Sequence, residues 1–166
     1  MQVPSQPNVA ERLKRIVADE LPNSRGVAAW GALLRAHATL MRRLERDLAQ
    51  ATGLSLADFD VLAQLARAGG ESRMTELAAR VFSSRSGLTR RVARLVDEDL
   101  VRRATADDDA RGVVVRLTDA GVARLIEAAP VHLRGVFDLF VTRLNDQELA
   151  VLESALDKVT PDCTFG

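Results

Sequence analysis

The chain has 166 residues, and its 23 Lys/Arg and 23 Asp/Glu give a formal net charge of zero. That length fits one compact unit with peripheral helices and leaves no room for a second catalytic domain, while the balanced charge argues against a histone-like nonspecific DNA binder. A single cysteine, Cys163, excludes a disulfide framework, and with only two histidines beside it neither a metal site nor a cofactor is expected.

Residues 1–7 carry no basic flank leading into an apolar core, so no signal peptide is expected. No uncharged apolar run approaches the ~20 residues of a membrane span, so no membrane partner is expected either. Asn8 followed by Glu11 reads as a capping box. It opens an extra amphipathic helix with Val9, Leu13, Ile16 and Val17 inward, closed by Leu21-Pro22-Asn23. A longer helix starts near Val27, with Trp30, Leu33, Leu34, His37, Leu40, Met41, Leu44 and Leu48 in one stripe. Gly53 ends it, and Ser55 caps the next helix, Leu56 to Ala68. His37 and His132 sit on largely apolar helical faces and read as core or interface side chains rather than ligands.

A short helix over Thr75 to Val81 can pack inward through Leu77, Ala78 and Val81. The helix that begins near Ser83/Ser84 is the most informative element. From Arg80 to Arg94 there are five arginines and no acid. Leu88, Val92, Leu95 and Val96 form a buried stripe, and Ser86, Arg90, Ala93 and Arg94 project from the other side. A β-hairpin follows: Leu100-Val101-Arg102-Arg103, a tip over residues 107–112, then Val113 to Leu117 in strand alternation. Thr118 then caps a long helix through Leu144, with Pro130 as a kink. Asn145 and Glu148 make a second capping box, and Leu149, Leu152, Leu156 and Val159 follow at the spacing of a helix–helix seam.

These elements predict a mainly α chain with a small β-hairpin wing (α+β), that is, a winged helix-turn-helix with terminal helices forming a dimerisation region. The boundaries are an N-terminal tail and extra helix (1–26), dimerisation helices (27–52 and 119–160) and a DNA-binding domain (53–118). Such a fold places one helix in the DNA major groove. Arginine grips phosphate or guanine, and serine or threonine reaches bases or backbone. The candidate DNA contacts are therefore Ser84, Arg85, Ser86, Gly87, Thr89, Arg90 and Arg94 on the reading helix, with Asp109 and Arg111 in the wing. Asp109 can orient the Arg111 guanidinium by a charge-assisted hydrogen bond. The plainer alternatives are a solvated cationic helix face, an ordinary polar turn, and apolar stripes that build a monomeric core.

The motifs Met74-Thr75-Glu76-Leu77-Ala78, Ser84-Arg85-Ser86-Gly87-Leu88-Thr89-Arg90, Asp109-Ala110-Arg111-Gly112 and Leu117-Thr118-Asp119-Ala120-Gly121 resemble successive signatures of the MarR family of bacterial regulators, over roughly residues 27–159. The resemblance implies a cytoplasmic, nucleoid-associated homodimer on double-stranded DNA with a palindromic operator, acting as a ligand-relieved repressor. The family wing carries a second arginine where this chain has Ala110, a departure that would weaken wing affinity. Trp30, Asp60, Arg67 and Arg91 match residues that a urate-responsive branch of the family uses for sensing, and that branch also carries an extra N-terminal helix. An indole stacks on a planar purine and arginine neutralises an anion. Another small aromatic or phenolic anion, or no effector at all, remains open beside urate. Two other functions compete: a protein-interaction module (antirepressor) of the same fold without operator binding, and an enzyme. Against the enzyme, the chain has no catalytic constellation, phosphate-cradling glycine loop or metal-spaced cluster.

Overall fold

The computed structural model describes residues 8–21, 24–81, 84–106 and 109–160. Pro22, Asn23, Ser83, the tip residues Asp107 and Asp108, and Cys163 lie outside that set, as do the side chains of Asp109 and Arg111. Residues 1–40 and 41–166 form separate compact units. The elements are α1 (Val9–Glu20), α2 (Ser24–Thr52), α3 (Leu56–Arg67), β1 (Glu71–Arg73), α4 (Met74–Arg80), α5 (Arg85–Asp97), β2 (Val101–Ala106), β3 (Asp109–Leu117), α6 (Asp119–Leu139), a 3-10 turn (Val141–Arg143) and α7 (Asp146–Asp157). The winged helix-turn-helix architecture is therefore present, with α4 and α5 as its helix pair and β2–β3 as its wing.

In the first unit, Asn8 caps α1 by accepting from the Ala10 amide at 3.3 Å, not through the reciprocal box expected with Glu11. Val9, Leu13, Ile16 and Val17 share one face but stay exposed, against the inward packing expected of them. An amphipathic stripe says which side chains share a face, not what covers them.

The second unit is built on Leu48, Val61, Leu62, Leu65, Leu77, Leu88, Val92, Leu95, Val101 and Val115, all fully buried. Each such side chain contributes about 1.5–3 kcal/mol by leaving water. Helix α3 starts where expected: the Ser55 hydroxyl accepts from the Asp58 amide at 3.1 Å, and Glu45 of α2 accepts from the Leu56 amide at 2.7 Å. Both satisfy amide groups that the first helical turn cannot.

The sheet has three strands in the order β1-β3-β2, all antiparallel. Strand β1 was not expected. Its three residues pair with Val114 to Arg116, reached through Gly69 and Gly70, whose φ values of 82° and 100° are ones that L side chains rarely adopt. Strand β3 begins at Asp109, so residues 109–112 extend a strand that was expected to start at Val113.

Helix α6 runs through Pro130 but ends at Leu139, five residues before the expected Leu144. There the Thr142 hydroxyl and the Arg143 Nε both donate to the Asp138 carbonyl, and such local bonds compete with helix continuation. The expected capping box on α7 is present, with Asn145 and Glu148 bonded reciprocally at 2.9 Å.

Candidate nucleic-acid interface

Helix α5 divides cleanly into two faces. Leu88, Val92 and Leu95 are completely buried, spaced so that one stripe meets the core. Ser84, Arg85, Ser86, Thr89 and Arg90 are exposed, with Gly87 partly covered. Ser84 is the N-cap: its hydroxyl accepts from the Gly87 amide at 3.2 Å and lies 3.3 Å from the Ser86 hydroxyl. The Thr89 hydroxyl donates to the Arg85 carbonyl at 3.0 Å. The N-terminal half of the helix therefore presents small polar groups, two exposed arginines and the positive end of the helix dipole to solvent, a surface suited to phosphate and base edges.

Arg94 and Arg91 have a different setting, organised by a residue the sequence reading passed over. Asp58, in the first turn of α3, is buried. Its carboxylate accepts from Arg94 Nη2 and from Arg91 Nη1 at 3.0 Å, and from the Ser55 hydroxyl. Burial desolvates this carboxylate and on that account would raise its pKa. The hydrogen bonds from Arg94, Ser55 and Arg91, with the charge of Arg94, outweigh that and hold it below the usual carboxylate value. Arg94 also lies 3.9 Å from Glu98 and keeps about half its side chain exposed, whereas Arg91 is mostly covered. One acid on α3 thus anchors two of the arginines on α5. Ser55 is a local partner, three residues away, but no local pattern pointed to the two arginines, which lie 33 and 36 residues from Asp58.

Of the four residues singled out for ligand sensing, Arg91 is occupied with Asp58, and Trp30 is 60% exposed on α2 in the first unit. Asp60 accepts from Gln64 at 3.3 Å on α3. Asp60 and Arg67 both act electrostatically on His132 of α6, one of the two histidines expected as core or interface side chains. His132 packs against Phe59 with ring centroids 4.5 Å apart. Burial, then the charge of Arg67, push its pKa below the usual imidazole value against the opposing pull of Asp60. His37 is exposed.

In the wing, Asp109 pairs with Ala106, after a register irregularity at Thr105/Ala106. Arg103 of β2, quoted only as a strand residue from sequence, donates from Nη2 to the Thr89 carbonyl of α5 at 3.3 Å. Among the described residues no group of His, Cys, Asp and Glu could hold a metal ion, and no helix is long and apolar enough to cross a membrane.

A family model described as the MarR family matches residues 52–112, from the end of α2 into β3. AbsC, a MarR family transcriptional regulator from Streptomyces coelicolor, is 30% identical in sequence; the match covers 84% of this chain and 94% of AbsC, with a TM-score of 0.78. The chain belongs to the MarR family. Members of the MarR family are transcriptional regulators and not enzymes, and this chain is accordingly a DNA-binding winged helix-turn-helix regulator. Two MarR family structures similar to it contain DNA. Sco3205 from S. coelicolor, in complex with DNA, is 30% identical with a TM-score of 0.78, over 83% of this chain and 90% of Sco3205. A mutant MarR from E. coli complexed with operator DNA is 27% identical with a TM-score of 0.70, over 86% and 96% of the two chains.

Proposed function

We propose that this MarR family regulator is a homodimeric repressor that holds a palindromic operator through α5 and the wing and is released by a small anionic or aromatic ligand, acting in the cytoplasm on the nucleoid. The observation that carries the DNA half of this reading is the two-faced α5, with Leu88, Val92 and Leu95 buried while Arg85 and Arg90 stand in solvent. Arg85 and Arg90, with Ser84, Ser86, Gly87 and Thr89, meet the major groove, and Arg94 adds a backbone contact from its Asp58 anchor. Arg111 enters the adjacent minor groove and Asp109 aims it. Two copies related by a two-fold axis present two α5 helices about one helical turn of DNA apart, which is why the operator is palindromic.

The second copy is supported by apolar surface. Val122, Ile126, Leu133 and Phe137 stand exposed along α6, as do Val151 on α7 and Val159 just beyond its end. A groove on α7 is lined by Leu144, Val151, Leu152 and Ala155. Exposed apolar surface of this kind marks an interaction face. Deleting residues 145–166 is expected to give a monomer or an aggregate that no longer retards operator DNA in a gel. A truncated chain that sediments as a soluble dimer and still retards DNA would contradict the assignment.

Arg90→Ala is expected to weaken operator binding by about 1–3 kcal/mol if Arg90 reads a base edge. If it holds only phosphate, all sequences weaken alike and the salt dependence flattens. A gel shift on DNA from upstream of the protein's own gene measures both. The same assay separates a repressor from an antirepressor, which retards no DNA.

For the effector, Arg67, which with Asp60 acts electrostatically on His132, supports a planar anion: Arg67 neutralises its charge and the imidazole meets its ring, while Asp60 accepts a hydrogen bond from the ligand's N–H or O–H groups. Trp30 and Arg91 are the other proposed ligand residues. Urate is one molecule of this class and simple phenolic acids are others; whichever acts should release the retarded DNA at a concentration that also shifts the melting temperature.

A further inference from the structure

Arg103 stands where the strand pattern asks for an apolar side chain. In β2, Val101 pairs with Leu117 and Arg103 with Val115. Directly paired residues, and residues two apart on one strand, share a sheet face. Arg103 therefore lies on the face that carries the fully buried Val101 and Val115. It remains exposed on an edge strand, and its guanidinium reaches back 14 residues to the Thr89 carbonyl. Thr89 sits between Arg85 and Arg90 on the exposed face of α5, its hydroxyl already turned onto the Arg85 carbonyl. Arg102 points to the opposite face, across from Arg116, which pairs with Glu71.

The wing needs such a tie. Among the described residues, strand β1 pairs only with Val114 to Arg116 of β3. Beyond the Ala104/Val114 pair the hairpin has two strands alone, and a two-stranded ribbon is marginal without packing. Arg103 is at the last pairs that the third strand supports.

The geometry points to Arg103 as a positioning residue that ties the wing to the reading helix and sets the angle at which the two meet DNA. This rests on the proposed operator-binding reading. A planar guanidinium can hold a carbonyl and keep a fixed direction, which a lysine ammonium on a flexible stem does not reproduce. The competing role for the same side chain is a plain phosphate contact, and the two roles differ in what a lysine rescues.

The test uses the full-length protein and an operator selected by the wild type from random DNA. Arg103→Ala and Arg103→Lys are each expected to bind that operator about tenfold more weakly, the size of one lost hydrogen bond from a charged group. Their salt dependence should match wild type, and the lost base preference should be confined to the outer positions under the wing. Arg102→Ala, on the other sheet face, should keep that outer preference. Full rescue by lysine, or a salt slope reduced by about one in Arg103→Ala, would make Arg103 a phosphate contact and overturn the inference. Wild-type affinity in both Arg103 variants would overturn it too. If Arg103→Ala does not fold, Arg103→Lys alone decides. A wild type that selects no operator would overturn the proposed function and this inference together, whereas a selecting wild type with indifferent Arg103 variants removes only the inference.

Discussion

Replacing Gly121 with alanine is expected to destabilise the protein by about 3 kcal/mol, at the upper end of ordinary overpacking costs. A Cβ at this position would lie 1.9 Å from the Leu100 carbonyl oxygen and 2.9 Å from its carbon. The obstacle is backbone, not the end of a flexible side chain, so relief requires moving the start of α6 away from the entry to β2. That junction is already tightly bonded. The Thr118 amide donates to the Leu100 carbonyl at 3.2 Å, the Thr118 hydroxyl donates to the Asp99 carbonyl at 2.6 Å, and the Gly121 amide donates to the Thr118 hydroxyl at 2.9 Å. Asp99 itself holds a φ of 57° to make the bend. Alanine's helix propensity returns at most ~1 kcal/mol of the loss. Urea unfolding of Gly121→Ala against wild type measures the difference. A change below ~1 kcal/mol would mean that α6 shifts freely on the wing.

Removing the Asp58 carboxylate is expected to have a comparable effect with a distinct pH signature. Breaking a buried pair by deleting one partner costs about 3–5 kcal/mol. Here the Arg94 side chain is half exposed and can return to water, so about 2–3 kcal/mol is expected for Asp58→Ala after discounting for that solvent screening. The sign with pH follows from the lowered pKa of Asp58. A depressed carboxylate contributes stability that is fully present above the unfolded value, near pH 4, and is lost as pH falls through the lower folded value. Stability curves of wild type and Asp58→Asn should therefore lie apart and parallel at neutral pH and converge only in acid. Curves that stay parallel down to pH ~2 would show that the carboxylate's charge contributes nothing.

The reading helix was legible because its signal is local. A start near Ser83/Ser84, then Leu88, Val92 and Leu95 at helical spacing, mark a helix and its buried face within a dozen residues, and the structure begins the helix at Arg85, with Ser84 as its cap, and buries that face. The Ser55 cap, the Asn145/Glu148 box and the β2–β3 hairpin were legible for the same reason. Elements whose stability comes from distant partners were not. Strand β1 is three residues long with no apolar alternation, and exists by pairing with a strand some 45 residues later. The end of α6 was misjudged because apolar periodicity continues past Leu139 while two side chains compete for the Asp138 carbonyl.

The arginines of α5 mark the same boundary. Helical geometry alone put Arg90 on the outward face, and the structure leaves it exposed there. It also put Arg94 there, but only the packing of α3 against α5 decides that one buried acid, Asp58, takes both Arg94 and Arg91. Asp58 and Asp60 are each a carboxylate in the first half of α3. A rotation of about 200° around the helix separates them. It turns Asp58 toward the reading helix and leaves Asp60 to act on His132. Arg103 and Thr89 are likewise unremarkable until the wing folds back on α5. Period and caps determine which face each helix and strand has. What each face meets is decided only when chain segments tens of residues apart come together, because hydrogen bonds and ion pairs depend on distances that local spacing does not contain.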